Sequence, residues 1–256
     1  MKLHFTDNYI INPRHPLSVN LIGAGGTGSQ MLQSLARIDY ALYKLGHPGL
    51  NVRVFDNDIV TEANIGRQLF SPNDVGLNKA DVLVTRINTF FGVNWDSVSD
   101  LYDGERYGFA NITITCVDNV KTRLEIGKLS KVKHKTNGYD EKKGYYWLDL
   151  GNQTDRGQVV LGTIGNIEQP KANPQYETVS HLKTVHELFD LRKIKEEDSG
   201  PSCSLAEALQ KQDLFINSTL SQLGSALLWK LFSEARISYH GIYLNLSTMT
   251  SAPIKL

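Results

Sequence analysis

Apolar positions along the chain fall into short buried runs separated by helical stripes. Leu17–Ile22 is an apolar run of strand length that ends in Gly23-Ala24-Gly25-Gly26-Thr27-Gly28-Ser29. Behind it Met31, Leu32, Leu35, Ile38 and Leu42 recur at three- and four-residue steps, which marks one face of a helix. His47-Pro48-Gly49 breaks that stripe, and Val52-Arg53-Val54-Phe55-Asp56 predicts a second strand. A further helix is predicted over Lys79–Phe91, where Val82, Leu83, Arg86, Ile87 and Phe90 share neighbouring turns. Residues 111–117 read as a strand, Val120–Leu129 as a helix, and 145–150 and 158–164 as two strands joined by a polar turn. Strand, glycine turn, helix, strand is the opening of a doubly wound α/β fold. The expected architecture is a Rossmann-like mixed sheet with an inserted lid and C-terminal helices and strands.

Beyond residue 164 the pattern changes. Residues 165–200 are polar, with Pro170 and Pro174, and then Val179, Leu182, Val185 and Phe189 among charges suggest a helix over 178–193. Residues 205–232 read as helical, and Leu220, Leu223, Leu227, Leu228 and Leu231 make the second half apolar enough to be buried. Residues 237–249 alternate as a strand does, with Ile242, Leu244 and Leu246 on one face. The expected division is a core over 1–164, an insertion over 165–203, and a segment over 204–256 that completes the same domain.

Composition narrows the function. Lys plus Arg number 27 against 27 for Asp plus Glu, which argues against a broad basic footprint for nucleic acid or an anionic membrane. No apolar run approaches the roughly 18 residues of a spanning helix, and Asp7 comes too early for a signal peptide. A cytoplasmic protein without a membrane partner is expected. Cys116 and Cys203 are too few for a disulfide framework or a four-thiolate zinc site. Paired C-x-x-C motifs are missing, so no structural zinc is expected, and His181 and His186 lack metal-ligand spacing.

Gly23, Gly25 and Gly28 have the spacing of a dinucleotide turn, with tight turning, close phosphate approach and close helix packing as their respective uses. Alone, such a turn is either a nucleotide site or a purely structural bend. Asp56 ends the second strand where an acid holds a ribose in nicotinamide sites. An NAD site, however, leaves Asn64, Arg67, Gln68 and Lys79 unexplained. If residues 63–68 form one helical turn, Asn64 and Arg67 share a face. Arg67 and Lys79 then add two cations near the positive end of a helix, where charge-assisted hydrogen bonds of about 1.5–3 kcal/mol each favour a triphosphate; each taken singly also reads as a solvated surface charge. Asp118, in Val117-Asp118-Asn119, suits either a Mg²⁺ ligand or the N-cap of the next helix.

These residues, from Gly23-Ala24-Gly25-Gly26-Thr27-Gly28 through Asp56-x-Asp58, Asn64-x-x-Arg67-Gln68 and Lys79 to Cys116-Val117-Asp118-Asn119 with Arg123, resemble in order and spacing the ThiF/MoeB/HesA-type activating enzymes, relatives of the ubiquitin-activating enzymes. Within that family the chain also resembles ThiF-type proteins of plasmid or mobile-element clusters that carry ParB-related and RadC-like genes. The resemblance implies an adenylating enzyme that uses ATP and Mg²⁺ on the C-terminal glycine of a ubiquitin-like or sulfur-carrier β-grasp protein, working as a homodimer. It implies nucleotide contacts at Gly23, Gly25, Gly26, Gly28, Asp56, Asn64, Arg67, Gln68, Lys79 and Asn119. Arg67, Lys79 and Asp118 would be catalytic, with Asp118 on the metal.

Cys203 stands just before Ser204-x-x-Glu207, a capping-box pattern whose helix dipole would favour a thiolate. Pro201-Ser202-Cys203-Ser204 also resembles the thioester-cysteine motif of ubiquitin-activating enzymes; the plainer reading is a small core residue. Cys116 reads as core packing. The family's arginine-rich N-terminal motif is missing, and Arg14 is the candidate for an arginine reaching a dimer partner's ATP. Other readings remain open: an adenylating enzyme acting on tRNA or a small carboxylate, and a non-catalytic subunit that docks nucleotide or a β-grasp protein.

Overall fold

A computed structural model describes residues 1–130, 143–171, 174–193 and 205–256. In chain order the first elements are β1 (Lys2–Phe5), α1 (Asn8–Ile11), β2 (Leu17–Ile22), α2 (Gly26–Lys44), β3 (Leu50–Phe55) and α3 (Lys79–Phe91). Next come β4 (Asp96–Val98), α4 (Gly104–Tyr107), β5 (Ile112–Thr115), α5 (Val120–Leu129), β6 (Tyr146–Asn152), β7 (Arg156–Thr163) and β8 (Glu177–Thr178). The described chain ends with α6 (Val185–Leu188), α7 (Leu205–Lys211), α8 (Ile216–Ser233), β9 (Arg236–Ile237), β10 (Tyr239–Asn245) and β11 (Thr250–Lys255).

An eight-stranded sheet has the order β11-β10-β7-β6-β5-β2-β3-β4. The half from β4 to β6 is parallel and the half from β6 to β11 antiparallel. β2 and β5 are buried almost throughout, as expected of parallel strands covered on both faces. One face packs Leu21, Val54, Ile114, Leu148 and Leu161 against Met31 and Leu35 of α2, Leu83 of α3 and Leu220 and Leu228 of α8. The opposite face packs Ile22, Phe55, Trp147 and Val160 against Val120 and Ile126 of α5 and Val185 of α6. This is the expected doubly wound architecture. No helix among the described residues is long and apolar enough to cross a membrane.

Several expected elements differ; the helix expected over 205–232 is interrupted at residues 212–215, between α7 and α8. The helix over 178–193 is not formed, because tertiary pairing takes its backbone groups. β8 pairs with β1, the Val179 N–H donates to the Leu3 carbonyl at 2.8 Å, and the Leu182 carbonyl accepts from the Thr163 N–H at 3.0 Å. What remains helical is α6, started by a Thr184–Glu187 capping box, and a 3-10 turn over Leu191–Lys193. The tail is a hairpin rather than one strand: β10 stops at Asn245, and β11 returns antiparallel along it as the sheet edge.

Beneath the carboxyl ends of β5 and β6 lies a buried polar knot. Asp149 on β6 is fully buried and accepts from Arg123 Nε at 2.8 Å and from the Thr115 hydroxyl at 2.5 Å, while the Trp147 indole N–H donates to Thr115 at 2.9 Å. Arg123 Nη2 also donates to the Leu150 carbonyl at 3.2 Å. The knot pins α5 to the sheet one turn after Asp118. Arg123→Met, which strands the Asp149 charge, is expected to cost about 3–5 kcal/mol in urea unfolding. Pairing it with Asp149→Leu should recover most of that loss. An unchanged midpoint for the single variant would contradict this role.

Candidate functional site

β2 and β5 are hydrogen-bonded neighbours, yet α2 leaves β2 on one face of the sheet and α5 leaves β5 on the other. Their turns diverge and open a cleft of about 640 Å³ at the carboxyl edge, the topological switch point where open α/β sheets bind ligands. Gly23 leaves β2 with φ of +92°, a conformation that favours glycine. A Cβ on Gly28 would drive into the Gly23 carbonyl, so α2 starts closer to the strand than any side chain would permit. No side chain caps α2 at Gly25, and Gly26 and Thr27 in its first turn line the cleft. Uncapped first-turn N–H groups with the helix dipole behind them are suited to an anion. Gly28 lies behind that wall; its place in the structure is steric.

Asp56, just past β3, accepts from the Ala24 N–H at 2.6 Å and the Asp58 N–H at 2.8 Å, one on each carboxylate oxygen. Burial pushes its carboxyl above the ordinary carboxylate value, opposed by those two N–H groups and by Lys79. Lys79 is the first residue of α3; it is 8% exposed and donates through Nζ to Asp58 at 2.8 Å. The second acid of Asp56-x-Asp58 therefore holds the lysine over the cleft.

The expected helical turn over 63–68 is shorter. A 3-10 turn covers Glu62–Asn64, Ile65 is extended, and the chain reverses at Gly66. Asn64 accepts through Oδ1 from the Thr61 N–H at 2.9 Å, which leaves its NH₂ as the end available to a ligand. Arg67 donates through Nη1 to Gln212 at 2.9 Å, while its Nε and the Oε1 of Gln68 are buried without hydrogen-bond partners. Burial lowers the Arg67 pKa and the Asp118 charge opposes that shift.

The α5 cap is Asn119, whose Oδ1 accepts from the Thr122 N–H at 2.9 Å. Asp118 therefore does not cap the helix; it stands exposed on the cleft rim beside Arg67. Cys116 borders the cleft and packs against the core; burial, assisted by Asp149 and opposed by Arg123, pushes its thiol up.

Gly23, Gly25, Gly26, Asp56, Asn64, Arg67, Gln68, Lys79, Asp118 and Asn119 thus line one cleft. Cys203 lies outside the described residues. Arg14 is exposed ahead of β2, at the opposite edge of the sheet from its own cleft. Thr27, Asn152, Gln212 and Asn217 also line the cleft and were not foreseen. Thr27 lies inside the glycine motif and was open to discovery there; the three amides carry no local sequence signal.

The family model described as the ThiF family matches residues 15–227. Over 125 residues the chain is 32% identical to ubiquitin-activating enzyme E1 1 of Candida albicans (strain WO-1), covering 44% of this chain and 12% of that protein. Over 176 residues it is 25% identical to ubiquitin-like modifier-activating enzyme 5 of Oryza sativa subsp. japonica, covering 60% of this chain and 36% of that one. E. coli MccB with MccA superposes with a TM-score of 0.59 at 17% identity, covering 94% of this chain and 64% of MccB. E. coli MccB with ATP gives 0.55 at 16% identity, covering 93% and 63%. This chain spans less than two thirds of each of these proteins. The MccB likeness bears on the fold, whereas the family match runs from before β2 into α8 and takes in the whole cleft. The chain belongs to the ThiF family.

Proposed function

We propose that the chain is an ATP-dependent adenylating enzyme that activates the C-terminal carboxylate of a small protein, a ubiquitin-like or sulfur-carrier protein of β-grasp fold. The observation that carries this reading is that Arg67, Lys79, Asp118 and the uncapped start of α2 face a single cleft. The relatives named ubiquitin-activating enzymes support it, as does a fold neighbour solved with ATP and with MccA.

The residues fit a nucleoside triphosphate. Asp56 is fixed by two backbone N–H groups and keeps lone pairs for ribose hydroxyls. Arg67 brings a buried, unpartnered Nε, so a phosphate oxygen there would satisfy a donor that is otherwise stranded. Asp118 offers a hard oxygen at the rim, and Mg²⁺ held there would supply charge neutralisation of phosphate oxygens.

In the reaction a carboxylate oxygen of the protein substrate attacks the α-phosphorus. The new C–O–P link forms as the bond to the α,β-bridging oxygen breaks, and pyrophosphate leaves with that electron pair. Negative charge therefore builds on the leaving group. Arg67 and Lys79 are fixed in advance and need little rearrangement to meet it, which is where electrostatic catalysis gains most. Gln68 and Asn64 orient the phosphates through hydrogen bonds. The Cys203 thiolate then attacks the acyl carbon, the C–O bond to the phosphate breaks, and AMP leaves with that electron pair, which makes a thioester.

With Mg²⁺, ATP and a glycine-ending β-grasp partner, exchange of labelled pyrophosphate into ATP is the expected readout. Absence of exchange with every such partner, alongside measurable ATP binding, would overturn the reading. Asp118→Ala should lower Mg²⁺-dependent exchange by about 10²–10³, the range for losing one preorganised electrostatic group; undiminished exchange would remove Asp118 from the metal-holding role. Cys203→Ala is expected to abolish a thiol-reducible adduct with the partner, and persistence of that adduct would remove Cys203 from the pathway.

A further inference from the structure

An unbroken line of hydrogen bonds joins Arg67 to the start of α2. Gln212, between α7 and α8, accepts through Oε1 from Arg67 Nη1 at 2.9 Å and from Asn217 Nδ2 at 2.8 Å. Asn217, near the start of α8, accepts through Oδ1 from the Thr27 hydroxyl at 2.9 Å and from Asn152 Nδ2 at 2.8 Å. The direction of the line follows from its first member. A guanidinium can only donate, so the Gln212 oxygen must face Arg67. Asn217 must then offer its NH₂ to Gln212 and its oxygen to Thr27 and Asn152.

Asn217 and Thr27 are buried, so a broken link strands polar groups away from water. Asn217 also lies directly over the glycine turn: a Cβ on Gly26 would fall 2.5 Å from its Nδ2. Gly26 thus admits the clamp as well as bordering the cleft.

Arg67 needs a holder. It follows an irregular stretch of backbone, and the Asp118 charge acts on it from the cleft rim. A guanidinium free to pair with Asp118 would cancel both the cation and the metal ligand. Gln212 is neutral, so it fixes the guanidinium without consuming its charge. Packing of α7 against the Glu62–Asn64 turn braces the same loop from the residues just before Gln212.

We propose that Gln212 and Asn217 are positioning residues that lock Arg67 to the N-terminus of α2, so that two positive elements recognise a polyphosphate as one rigid unit. This rests on the nucleotide reading above, and calorimetry on the whole chain with a non-hydrolysable ATP analogue and with AMP separates the two ideas. Gln212→Met is expected to weaken the ATP analogue about tenfold, equivalent to about 1.4 kcal/mol, and to leave AMP binding unchanged. In an Arg67→Ala background the same substitution should cost nothing further, since coupled residues are non-additive. Asn217→Asp keeps the Oδ1 acceptor and loses the donor to Gln212; an intermediate loss is expected, and it carries the test should Gln212→Met fail to fold. Equal losses for AMP and the ATP analogue, or an undiminished loss without Arg67, would overturn the positioning role alone. A wild-type chain that binds neither nucleotide would overturn the nucleotide reading, and this proposal with it.

Discussion

The site exists because β2 and β5 pair side by side while the chain leaves them toward opposite faces of the sheet. That divergence cannot be filled by backbone, so a crevice opens at the strand ends. The absent side chain of Gly28 brings α2 down against the Gly23 carbonyl and aims its first turn into that crevice. Everything else in the cleft is arranged around this fixed positive end. The loop after β3 brings Asp56 and Asp58, the start of α3 brings Lys79, and the turn after β5 brings Asp118.

Charge in the cleft is held rather than cancelled. Lys79 is nearly buried but leans on Asp58, whose side chain is 60% exposed and therefore partly screened by water. Arg67 leans on an amide, and Asp118 stays at the rim. The arrangement keeps cationic groups at the cleft although the overall formal charge is +0. The buried Arg123–Asp149 pair serves a different end: with both members enclosed, it anchors α5 and so sets where the Asp118 turn begins.

The parallel half of the fold and the glycine turn were legible because each rests on local rules: fully apolar strands, 3.6-residue stripes, and glycines where backbone must approach closely. Asp56, Lys79 and Asp118 were legible for the same reason, since each stands at a strand or helix end that periodicity locates. The helix expected over 178–193 failed because β1, a four-residue strand with little pattern of its own, captures that segment by long-range pairing. The clamp was invisible for a related reason. Gln212 meets Arg67 across a separation of 145 residues, and an amide in a polar loop looks like any other solvated residue until the fold brings them together.

The most direct measurement is a crystal structure of the whole chain with Mg²⁺ and a non-hydrolysable ATP analogue. Expected is a ribose at Asp56, phosphates between the first turn of α2, Arg67 and Lys79, and the metal held at Asp118. A triphosphate bound away from the glycine turn, or one lying there with Arg67 and Lys79 both turned to solvent, would contradict the account.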